Sequence, residues 1–81
     1  MRNLTIQSEW ENYRDKVLPK DAQLIQRIEC KRAFYLGAMS MFKLREELTN
    51  STLSEKSIES VLKIWEEEMK TFAVSVKQGE A

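Results

Sequence analysis

Ala33-Phe34-Tyr35-Leu36-Gly37-Ala38-Met39-Ser40-Met41-Phe42 runs without a charge through the middle of a chain in which 32% of residues are charged. As a helix this stretch is about 15 Å long and apolar or small on every side. Such a segment must be covered all round, and 81 residues offer little to cover it with. At this length a single core is marginal and oligomerisation often supplies the missing burial. Two expectations result: an all-α fold around a long central helix, and assembly of three-helix chains into a homo-oligomeric helical bundle.

The breaks on either side of the stretch delimit that helix. Val17-Leu18-Pro19 ends whatever precedes it, because the residue before proline is pushed out of the helical region. Asp21 then reads as an N-cap, with Pro19-Lys20 as a short corner, and the central helix spans about 22–48. Thr49-Asn50-Ser51-Thr52 is the next break, made of residues whose side chains compete for backbone hydrogen bonds. Upstream, Ile6, Trp10, Tyr13 and Val17 recur at spacings of four, three and four, and Ser8 with Glu11 fits a capping box, giving a first helix over about 6–18. Downstream, Ile58, Leu62, Trp65, Met69, Phe72 and Val76 form a coiled-coil seam. The third helix therefore covers about 53–76, capped by Thr52 or Ser54, with 77–81 as a frayed tail. The whole chain, 1–81, reads as one helical domain. Glu59/Lys63 and Glu66/Lys70 are favourable i,i+4 pairs on the third helix. Glu66-Glu67-Glu68 splays by about 100° per residue and does not converge on a metal.

The central helix presents two faces. One carries Leu24, Ile25, Ile28, Arg32, Tyr35, Met39 and Phe42. The other carries Gln26, Glu29, Cys30, Ala33, Gly37, Ser40 and Leu44, a notch of small side chains with polar groups at one end. Gly37 inside a helix costs up to about 1 kcal/mol relative to alanine, so it predicts close approach of a neighbouring helix or a flat ligand.

Composition narrows the chemistry. No histidine occurs and Cys30 is the lone cysteine, which removes imidazole metal sites, Ser-His triads, Cys-His pairs and any intrachain disulfide. The expectation is a protein that is not an enzyme, with no catalytic residues, no metal and no cofactor. Met1-Arg2-Asn3-Leu4 leads into polar residues rather than an apolar signal core, and no apolar run approaches the ~20 residues of a membrane span. That predicts a cytoplasmic protein without a membrane partner. The formal net charge of zero hides an asymmetry: residues 12–45 carry eight Lys/Arg against three acids, and residues 46–81 carry four Lys against eight Glu. Either these are solvated faces that help subunits pair, or the basic part attracts a small anion. A long nucleic acid is disfavoured, because the acidic third repels it and no continuous basic stripe exists.

The residues able to form a binding site are Trp10, Tyr13 and Arg14 on the first helix and Gln26, Glu29, Arg32 and Tyr35 on the second. The short corner makes these two helices pack antiparallel or at an angle. Arg32 and Glu29 interrupt apolar or small faces and need partners if buried. One reading pairs these charges with each other, within the bundle or across an oligomer interface. The other has Arg32, Arg14 and Gln26 line a site for an anionic nucleotide-like molecule, with Tyr13 or Tyr35 as stacking plates.

Trp10-x-x-Tyr13-Arg14, Val17-Leu18-Pro19, Gln26-x-x-Glu29 and Arg32-Ala33-Phe34-Tyr35-x-Gly37-Ala38 together resemble a group of small proteins encoded by bacteriophages and prophages. The resemblance covers about residues 10–42 and brings no assigned chemistry with it. In size and architecture the chain is also similar to viral sponge proteins, the short all-helical homo-oligomers that sequester cyclic nucleotide messengers of bacterial immunity. No motif aligns residue by residue with the sponges, so no binding residue is carried over. Together these likenesses imply a phage-type, non-catalytic protein that sequesters a small anionic nucleotide-like ligand to counter host antiviral defence. The alternative is an inhibitor or adaptor that docks a host or phage protein through helix three or the Glu66–Glu68 face.

Overall fold

In a computed structural model, which describes residues 3–79, the chain is all-α. Three helices and no strand occur among the described residues: α1 (Ile6–Val17), α2 (Leu24–Thr49) and α3 (Glu55–Lys77). By compactness the chain divides into two units, Met1–Glu47 and Leu48–Ala81. No helix among the described residues is long and apolar enough to cross a membrane.

In the first unit, α1 begins where its backbone can be capped. Thr5 is extended, and its Oγ1 accepts the Ser8 N–H at 3.0 Å. Ser8, predicted as the cap, instead lies inside the first turn, where its hydroxyl donates to the carbonyls of Asn3 (2.8 Å) and Thr5 (2.9 Å). Two hydroxyls three residues apart compete for one role, and the earlier one takes it because it leaves the other free to close the turn. Glu11 is correspondingly no part of a capping box: it accepts from Gln7 one turn before it. At the far end Leu18 is extended before Pro19, and its N–H still reaches the Arg14 carbonyl at 3.1 Å.

The corner is longer than the predicted Pro19-Lys20. The Ala22 N–H returns to the Pro19 carbonyl at 3.1 Å, which commits residues 19–22 to a turn and keeps Asp21 out of the cap position. The first helical bond of α2 runs from Arg27 N–H to the Gln23 carbonyl, so α2 starts two residues later than predicted. The two helices run antiparallel. Gln7 bonds Tyr35, Trp10 and Tyr13 meet Phe34, and Arg14 lies by Arg27, so partners on α2 fall in number as those on α1 rise.

The centre of this unit is aromatic. Trp10 is only 3% exposed, and its ring centroid lies 5.7 Å from Phe34 and 5.9 Å from Tyr13. Tyr13 and Phe34 close the triangle at 5.5 Å, and Phe34 meets Tyr35 edge-on at 6.2 Å. Ile6 and Val17 share the stripe of Trp10 and Tyr13 yet stay exposed, so α1 holds to α2 through a narrow contact around Trp10.

In the second unit the chain turns at Ser51, whose N–H and hydroxyl both reach the Leu48 carbonyl, the hydroxyl at 2.6 Å; Leu48 itself is buried. Ser54 caps α3 by accepting the Ser57 N–H at 3.2 Å. The helix ends at Lys77. Gly79, at φ 76°, takes the left-handed conformation that closes a helix, its N–H on the Val76 carbonyl at 3.1 Å. Of the predicted tail, Lys77 is helical and Gln78-Gly79 form the cap; residues 80–81 lie outside the described residues. Glu66 pairs with Lys70 at 3.1 Å, whereas no ion pair joins Glu59 to Lys63.

Among the described residues, no side chain and no other segment comes close to Gly37. A Cβ there would meet no atom within 4 Å, so the predicted close approach is not made by this chain. Gly37→Ala should therefore stabilise α2 by up to about 1 kcal/mol, read as a raised urea midpoint at unchanged slope. A lowered midpoint would show a neighbouring helix seated against that notch.

Candidate functional site

The seven residues predicted to line a ligand site separate into three groups. Trp10 and Tyr13 belong to the aromatic centre between α1 and α2. Trp10 is enclosed and supports the fold; Tyr13 stays about a third exposed at the edge of the cluster. Tyr35 lies beside them, its hydroxyl donating to Gln7 Oε1 at 2.7 Å and its ring 5.9 Å from the Lys31 ammonium. Arg32 and Glu29 stand on the outer side of α2. They pair with each other at 3.5 Å one turn apart, and both side chains are more than half exposed, so neither is the buried charge the sequence suggested. Gln26 is exposed and makes no side-chain contact with the others. Arg14 lies at the α1–α2 corner, its Nε donating to Asp15 Oδ1 at 3.0 Å.

Why they separate follows from the helix. Arg32 is two residues before Phe34, which faces α1, so Arg32 is turned about 200° away from the contact. Arg14 follows Tyr13 by one residue and is turned about 100° from the aromatic centre, toward the corner.

At that corner three cations gather around a recess. Arg14, Asp15, Leu18, Pro19, Lys20 and Arg27 line a cleft of about 270 Å³. Two of its walls are fixed. Arg27 Nη2 donates to the Lys20 carbonyl at 2.8 Å, which ties the start of α2 to the turn. Arg14 is steadied by Asp15. Three cations against one carboxylate leave the cleft positive, and guanidinium groups offer the planar donor pairs that suit phosphate oxygens. Lys20 and Arg27 were absent from the predicted set. The signal that could have found them is the corner itself, since Pro19 folds the chain so that a basic residue one or two turns into the next helix returns to it.

A second recess lies on α2 alone, between Ile28, Lys31, Arg32 and Tyr35, with a volume of about 410 Å³ and mostly apolar walls. Among the described residues no group of three or more Cys, Asp or Glu side chains is placed to hold a metal ion. Comparison of the chain with protein-family models, with curated proteins and with solved structures finds no significant match in any of the three.

Proposed function

We propose that the chain is a self-associating, non-catalytic helical protein that captures a small anionic, nucleotide-like ligand in the corner cleft. The observation that supports this most is the convergence of Arg14, Lys20 and Arg27 on one recess whose walls are fixed by the Arg27–Lys20 and Arg14–Asp15 bonds. The recess has room for a phosphate or sugar phosphate, and the half-open Tyr13 ring stands one residue from Arg14. Capture needs no turnover, and a recess lined by cations suffices for it. The viral setting, in which such capture blunts host defence, comes from the resemblance at residues 10–42 and the likeness to sponge proteins.

Isothermal titration with inorganic phosphate, cyclic di- and trinucleotides and ADP-ribose tests the reading. Each hydrogen bond to a charged group is worth about 1.5–3 kcal/mol. Arg14→Ala or Lys20→Ala should therefore weaken binding by about ten- to a hundredfold, while the unfolding midpoint stays close to that of the parent chain. Lys20 is the cleaner probe, because among the described residues its side chain makes no hydrogen bond or ion pair.

A second reading rests on α3, where Ile64 and Phe72 lie exposed among Glu67, Glu68 and Thr71 along one open face. An apolar strip edged with carboxylates suits a basic amphipathic helix of another protein. The same titrations separate the two. Absence of heat with every anion, together with a stoichiometric protein retained from host lysate by the parent chain but lost with Phe72→Glu, would favour this reading over the first.

A further inference from the structure

We infer that α2 pairs with α2 of a second copy, antiparallel, through the seam Ile25–Ile28–Arg32–Tyr35–Met39–Phe42. The inference rests on the self-association proposed above and adds the surface and its polarity; it is independent of the ligand cleft, which lies on another side of α2.

The seam is the largest uncovered apolar feature of the helix. Leu24, Ile25, Leu36, Met39 and Phe42 are between 61% and 73% exposed, and Ile28 is 38% exposed. Ile25, Ile28, Arg32, Tyr35, Met39 and Phe42 follow spacings of three, four, three, four and three, so they form one stripe along a 26-residue helix, with Leu24 and Leu36 at its edges. At about 100 Å² for a large side chain, the six seam residues bring ~600 Å² per copy, or ~1,200 Å² for a pair, which reaches the range of specific interfaces. Phe34, Cys30 and Ala38, half-buried on the other side of α2, lie off this stripe; Tyr35 borders both sides, its hydroxyl held by Gln7 of α1 at 2.7 Å while it lines the recess of Ile28 and Arg32.

Polarity follows from the one charge in the seam. Parallel in-register pairing sets Arg32 against Arg32 of the second copy in a single layer, two like charges leaving water together. Antiparallel pairing matches each layer with its complement under a two-fold axis: Ile25 with Phe42, Ile28 with Met39, and Arg32 with Tyr35. Each guanidinium then meets a tyrosine ring, a contact the Tyr35 ring already makes with Lys31 at 5.9 Å, and keeps Glu29 beside it at 3.5 Å. A two-fold axis between residues 33 and 34 therefore turns the seam's single awkward residue into a paired one. A partner of different sequence would have to reproduce this spacing, whereas a second copy has it by symmetry.

Cross-linking with a short bismaleimide reads both surface and polarity. Ile28→Cys and Met39→Cys chains, each also carrying Cys30→Ala, are mixed at equal micromolar concentration. The expected main product joins residue 28 of one copy to residue 39 of the other. Products joining 28 to 28 and 39 to 39 would overturn the polarity while leaving self-association standing. A well-folded monomer by sedimentation with no cross-link would overturn both. If Ile28→Cys disturbs packing, the more exposed pair Ile25→Cys and Phe42→Cys gives the same readout.

Discussion

Trp10→Ala is expected to remove about 3–5 kcal/mol of stability, enough to melt α1 off α2 at room temperature. The reason is concentration of the core in one side chain. Trp10 and Leu48 are the buried apolar residues of the described chain, and Trp10 alone stands in the first unit. Its indole carries contacts to Phe34 and Tyr13 at 5.7 and 5.9 Å, and no second buried residue on α1 shares the load. A domain this small has only about 5 kcal/mol in hand, so a loss of that size leaves little folded protein. Far-UV circular dichroism with urea, and near-UV signal from the tyrosines, would register it. A double-mutant cycle with Phe34→Ala should give a coupling of about 1 kcal/mol. A midpoint shift equivalent to less than about 1 kcal/mol for Trp10→Ala would mean that the aromatic triangle does not hold the unit together. Ile6→Ala, on the same stripe but exposed, should by contrast stay within about 0.5 kcal/mol of the parent.

Chain breaks were legible because their signals are local. Proline excludes the helical conformation from Leu18, and the Thr49–Thr52 cluster offers hydroxyls to loose carbonyls, as Ser51 does to Leu48. Neither needs a neighbour elsewhere in the chain. Cap identity was less legible. Thr5 and Ser8 are chemically interchangeable as caps, and Asp21 failed only because the preceding turn had already claimed its backbone. The central helix marks where sequence reasoning runs out. In a stretch apolar on every side, periodicity cannot say which side meets α1. Phe34 falls between the two faces read from spacing, and only contact with Trp10 and Tyr13 makes it the inner residue. Arg27 is harder to read for a related reason: its bond to the Lys20 carbonyl spans seven residues, and Pro19 marks the corner without fixing which basic residue returns to it. What spacing did indicate was the opposite stripe, from Leu24 to Phe42, which the chain leaves uncovered.

Met39→Glu should separate copies of the chain while leaving each one folded. Met39 is 61% exposed, so the substitution buries no charge in the single chain. It also places a carboxylate four residues before Lys43, an orientation that adds about 0.2–0.5 kcal/mol to a helix. In the paired state the same carboxylate would enter the layer opposite Ile28, and symmetry makes it do so twice. An uncompensated charge taken into an apolar layer costs several kcal/mol, so two of them should raise the dissociation constant by at least about a hundredfold. Analytical ultracentrifugation at micromolar concentration would then show a 9.5 kDa species in place of an assembly. Ser40→Glu, on the small-residue side of α2, is the control and should leave association unchanged. The variant must gain helix stability and lose association together. Loss of both would mark Met39 as part of the fold, and loss of neither would place the contact between copies somewhere other than this seam.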